Sequence, residues 1–99
     1  MVKLVVAYGR PENPEEFDRY YASTHVPLTE KIPGLQRFEA GKVVGTPDGS
    51  EAPYYYLAEL LFDDMEAFQS ALGSPEGQAA AGDLANFASG GVTMFVAQV

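Results

Sequence analysis

Three observations in the amino-acid sequence predict an α+β fold. Four stretches rich in β-branched and aromatic residues alternate with helix-like segments in the order strand, helix, strand, strand, helix, strand. The helical segments open on helix-start residues, Asn13-Pro14-Glu15 and Ser74-Pro75-Glu76. The strands are apolar on both faces, although helices packed in this order cover only one. With right-handed crossovers this order gives the split βαβ, ferredoxin-like arrangement, a four-stranded antiparallel sheet with its helices on one side. The open side then needs a second sheet, most simply that of a second copy, so a homodimer packed sheet to sheet is expected.

The first strand, Val2 to Tyr8, places Val2, Leu4, Val6 and Tyr8 on one face and Lys3, Val5 and Ala7 on the other. Asn13 then caps a helix whose apolar stripe is Phe17, Tyr20, Tyr21, Thr24 and Leu28. That helix is expected to end near Ser23 or His25, because Pro27 disfavours helical geometry at Val26. Ile32-Pro33-Gly34 predicts a turn. Leu35 to Val44 reads as the second strand, and a turn-rich connector, Gly45 to Pro53, leads to the third. That strand, Tyr54 to Phe62, carries the strongest signal and is expected at the centre of the sheet. Asp63 and Glu66 form a capping box for the next helix, with Met65, Phe68 and Leu72 as its buried stripe. After Gly73 the helix restarts at Ser74, with Ala80, Leu84 and Phe87 on its apolar side, and Val92 to Val99 is the last strand.

At 99 residues the chain is a single domain, residues 1–99, with 46% hydrophobic residues and no low-complexity tract. The absence of cysteine excludes disulfides, thiol nucleophiles and cysteine-ligated metals. Fourteen acidic residues against six basic ones, a formal net charge of -8, oppose nucleic-acid backbones and anionic membrane surfaces as partners. No run is apolar enough for a signal peptide or a membrane span, so a cytoplasmic protein is expected. One histidine without cysteine cannot build a zinc site from the usual ligands, and phosphate-binding glycine loops and a nucleophile elbow are absent. Any catalysis is expected to be acid/base work without a metal or cofactor.

His25, the only histidine, is the first candidate for that work, since its imidazole titrates near neutrality. It sits at the edge of the helix stripe, where it either points into the groove between helix and sheet or caps the helix end. Tyr8, Tyr20, Tyr21, Tyr54, Tyr55 and Tyr56 follow, because a buried phenol seeks a partner and can orient a ligand oxygen. Phe38, Phe62, Met94 and Phe95 are core or ligand contacts. Glu39 and Glu59 are either bases with raised pKa values inside the sheet, or partners for Arg37 or Lys42, or exposed rim residues. Arg10 could meet a carboxylate at the cleft mouth or be a solvated loop charge.

The runs Tyr8-Gly9-Arg10-Pro11, Glu15-Glu16-Phe17-Asp18-Arg19-Tyr20-Tyr21, Thr24-His25-Val26-Pro27-Leu28 and Ile32-Pro33-Gly34-Leu35 resemble the EthD family. Ser74-Pro75-Glu76-Gly77-Gln78 and Asp83-Leu84-Ala85-Asn86-Phe87 extend the resemblance to nearly the whole chain. It implies a dimeric α+β barrel of ferredoxin-like protomers and places His25 at the family's histidine. The wider barrel superfamily includes cofactor-free monooxygenases, isomerases, polyketide cyclases and haem-handling proteins. The expectation is therefore a small apolar or aromatic ligand in the groove, His25 as general acid or base, and Tyr21, Phe38, Tyr54 and Tyr56 as ligand contacts. The competing expectation is a non-catalytic binding or accessory protein of a catabolic or biosynthetic pathway, with His25 structural.

Overall fold

The structure is a computed structural model that describes all residues, 1–99. Four strands form one antiparallel sheet: β1 (Val2–Tyr8), β2 (Arg37–Lys42), β3 (Tyr56–Phe62) and β4 (Val92–Gln98), in the order β2-β3-β1-β4. The apolar β1 and β3 take the two central places, as two-faced apolar patterning predicts. In their pairing Leu4 lies opposite Leu60 and Tyr8 opposite Tyr56. One face of each therefore supplies the core, namely Val2, Val6 and Tyr8 with Ala58, Leu60 and Phe62.

Helices α1 (Pro14–Tyr20) and α2 (Val26–Glu30) are joined by a π-helical turn, Tyr21–His25, and α3 (Met65–Gly73) precedes α4 (Pro75–Phe87). The Asn13 side chain accepts from Glu16 N–H at 3.2 Å, and Ser74 Oγ accepts from Gly77 N–H at 3.0 Å, as the caps predict. Gly34 takes a positive φ of 81° in the expected Pro-Gly turn.

Several expectations are corrected. The first helix does not end at His25; it continues to Glu30 through Pro27. The π turn is what makes this possible: Val26 N–H reaches back five residues to the Tyr21 carbonyl, widening the helix just before the proline. The buried line is accordingly Phe17, Tyr21, His25 and Thr29, rather than the stripe ending on Thr24 and Leu28. In a regular α-helix each four-residue step drifts sideways by about 40°, and the wider π turn reduces that drift. Asp64, not Asp63, caps α3, accepting from Ala67 N–H at 2.8 Å. Phe68 and Ala71 are its buried residues, and Met65 and Leu72 face outward. For Glu39 and Glu59 the reading as bases inside the sheet gives way to the ion-pair reading: they stand opposite each other on the helix-free face, Glu39 paired with Arg37 at 3.0 Å as expected and Glu59 with Lys3 at 3.6 Å. No helix is long and apolar enough to cross a membrane.

Candidate functional site

The π turn and α4 build the site together. His25 is 5% exposed on the buried line of the first helix, and Asp83, 7% exposed, lies among Gly77, Ala80 and Phe87 on the buried side of α4. A carboxylate in such a position must be satisfied by hydrogen bonds. Asp83 Oδ2 meets His25 Nδ1 at 3.0 Å, and Asp83 Oδ1 accepts from Tyr20 Oη–H at 2.6 Å and Asn86 Nδ2–H at 2.9 Å. Burial alone would raise the Asp83 pKa. The bonds from Tyr20, Asn86 and His25 outweigh it and hold the carboxyl below its usual range.

Burial pushes the His25 pKa below its ordinary value, and the neighbouring Asp83 restores only part of the loss. The ring is thus neutral at pH 7, with an ionised carboxylate at Nδ1 that can only accept. Its proton accordingly sits on Nδ1 and its lone pair on Nε2. Nε2 has no protein partner, and no enclosed side-chain nitrogen or oxygen lacks one, so Nε2 borders open space.

That space is a cavity of about 70 Å³ between the helices and the sheet. Val6, Tyr8, Leu60 and Phe38 wall it on the sheet side, Tyr21, His25 and Thr29 on the first helix, and Ala80 and Leu84 on α4. Leu72 and Met94, 45% and 52% exposed, stand at its rim. An apolar wall carrying a few polar atoms is the usual make-up of a small-molecule site. Behind it the aromatic cluster is continuous, with His25 4.7 Å from Phe87 and 5.2 Å from Tyr21 between ring centres.

Of the residues singled out in the sequence, His25, Tyr8, Tyr21, Phe38 and Met94 line this cavity. Tyr56 packs one layer behind, its ring 4.6 Å from that of Tyr21. Tyr54 lies apart, in a surface groove with Arg10 and the connector between β2 and β3. Asp83, Tyr20 and Asn86 were missed as a set. The signal for them was an acid embedded three residues after Ala80 and four before Phe87, on the predicted apolar side of α4.

Comparison with known proteins fits this architecture. A family profile described as the EthD domain matches residues 10–91. The chain belongs to the EthD family. An uncharacterised 11.0 kDa protein of the thcB-thcC intergenic region in Rhodococcus erythropolis is 48% identical over 94 residues, 95% of this chain and 90% of that one. The crystal structure of an EthD family protein from Bacillus halodurans superposes with a TM-score of 0.92 at 39% identity, covering 100% of this chain and 98% of the other. SnoaB, a cofactor-independent oxygenase from Streptomyces nogalater, shares the fold with a TM-score of 0.67 at 21% identity, over 99% of this chain and 91% of its own. Structures sharing the fold at lower identity include several described as dimeric ferredoxin-like proteins.

Proposed function

We propose that this EthD protein binds a small apolar or aromatic molecule in the cavity beside His25 and that His25 acts there as general acid or base. The reaction class is a cofactor-free isomerisation, cyclisation or oxygenation. The observation that carries this reading is the neutral imidazole, held through Nδ1 by Asp83 at 3.0 Å, with Nε2 free toward an apolar cavity. Such an arrangement fixes the tautomer, presents a base and offers a counter-charge for the imidazolium that forms on proton uptake. A cofactor-independent oxygenase with the same fold supports the reaction class.

The cavity of about 70 Å³ holds the bulk of roughly two waters, below the roughly 300–1,000 Å³ of ordinary ligand sites. Met94, exposed at the rim and flexible, is the side chain whose movement would admit a ring. The small volume favours, as a second reading, a binding or accessory protein in which the His25–Asp83 bond simply ties the π turn to α4.

The molecule acts in this reading as a cytoplasmic homodimer joined through the helix-free sheet faces. The test is an NMR titration of the His25 imidazole with a panel of small aromatic and alicyclic compounds, followed by turnover assays of His25→Ala and His25→Gln. Catalysis requires a ligand-dependent shift of the imidazole and loss of turnover in both variants. Turnover unchanged by either substitution would overturn the acid/base role.

A further inference from the structure

The acid/base reading leaves two phenols beside the base without a task. Tyr8 and Tyr21 are among the largest fully buried side chains in the molecule, each 1% exposed, and both line the cavity that His25 lines. They come from different elements, β1 and the π turn, and their rings meet edge to face at 5.7 Å. The two hydroxyls are within reach of each other, each acting on the other's ionisation, and a ligand oxygen would draw both donors in place of that mutual contact. No enclosed side-chain oxygen is left unpaired, and the open space beside the two rings is the cavity that both residues line. Apart from Thr29, which lines the same cavity, and His25 Nε2, they are the polar side-chain groups its occupant meets.

We infer that Tyr8 and Tyr21 form a donor pair for the oxygen of an enolisable carbonyl compound, a small neutral ketone or ester with an acidic C–H beside its carbonyl. This rests on His25 being the base. An apolar wall takes the carbon skeleton, two hydroxyl donors fix one oxygen, and the base removes the adjacent proton. Burial raises the pKa of both tyrosines, so both remain protonated donors at neutral pH.

The step balances without any other reagent. The C–H bond breaks and its proton goes to His25 Nε2. Its electron pair forms the carbon–carbon double bond, and the carbonyl π pair moves onto oxygen as an enolate. The enolate accepts hydrogen bonds from Tyr8 and Tyr21, while Asp83 faces the imidazolium. Return of the proton to the same or another carbon completes exchange or isomerisation.

The test is wash-out of α-protons from acetone, cyclopentanone and acetophenone in D₂O, followed by NMR with the intact protein. Wild-type protein is expected to accelerate exchange in at least one of them. Tyr8→Phe and Tyr21→Phe, which keep the ring, should each slow it at least tenfold, toward the roughly hundredfold cost of losing one oxyanion donor. Binding of cyclopentene, which has no oxygen, should be unchanged in both, showing that the cavity is intact. If His25→Gln abolishes exchange and both phenylalanine variants retain it, the donor pair is wrong and the base stands. If His25→Gln also retains it, the acid/base reading itself fails. No acceleration with any of the three ketones overturns the substrate class.

Discussion

At the scale of residues, the behaviour of His25 depends on Asp83, and the two can be separated. Asp83→Asn keeps the shape but removes the charge that partly offsets burial, so the imidazole pKa is expected to fall further. An NMR titration of the single histidine reads this directly, and an upward shift would contradict the arrangement. Asp83→Ala leaves Tyr20, His25 and Asn86 without their shared acceptor and is expected to cost about 2–4 kcal/mol in urea unfolding.

The same pair sets a pH dependence. His25 has a lower pKa folded than unfolded, so its contribution is complete above the ordinary histidine value of about 6.5 and is lost as pH falls through the folded value. Asp83 follows at lower pH, with its contribution complete above about 3.9 and lost as pH falls through its own depressed value. Unfolding free energy should therefore decline from pH 7.5 to pH 5 in the wild type. His25→Gln should flatten that segment and leave the more acid decline in place.

At the scale of elements, the site depends on a departure from regular helix and on close contact between α3 and α4. Pro27 lacks the N–H that would continue an α-helical ladder. The π turn before it keeps Tyr21 and His25 on the buried line that ends at Thr29. At the α3–α4 junction, a Cβ added to Gly77 would lie 2.0 Å from the Ala71 carbonyl oxygen, which belongs to backbone and cannot swing away. On an open helix surface, glycine to alanine gains up to about 1 kcal/mol. Gly77→Ala is instead expected to lose roughly 2–3 kcal/mol, measured by denaturant unfolding, and to perturb the cavity that Gly77 lines. A gain in stability would show that the helices can separate without penalty.

At the scale of the whole molecule, the helix-free face of the sheet is the surface that no element of the chain covers. Phe95 is 54% exposed there opposite Val5, and Leu57, Leu61 and Ala97 share the face with the Glu39, Glu59, Lys3 and Arg37 pairs. Apolar side chains in this arrangement are expected to be covered by the sheet of a second copy. Light scattering at micromolar concentration should give the mass of a dimer. Phe95→Asp should convert it to monomer with its far-ultraviolet circular dichroism retained. A monomeric wild-type protein would remove the dimer from the proposal.

The order of elements, the central places of β1 and β3, the helix caps at Asn13 and Ser74 and the candidacy of His25, which lies beside the cavity, were legible in the sequence. They follow from local signals: the period of apolar residues, capping chemistry and the rarity of a side chain that titrates near neutrality. The course of the helix past Pro27 was not legible, because proline chemistry alone argues for a break and only packing of Tyr21, His25 and Thr29 against the sheet decides otherwise. The outward placement of Leu72 and the juxtaposition of Glu39 and Glu59 on the open face likewise depend on neighbours remote in the chain. So does the partner of His25. Asp83 lies 58 residues away, and only the approach of α4 to the π turn brings its carboxylate to the imidazole.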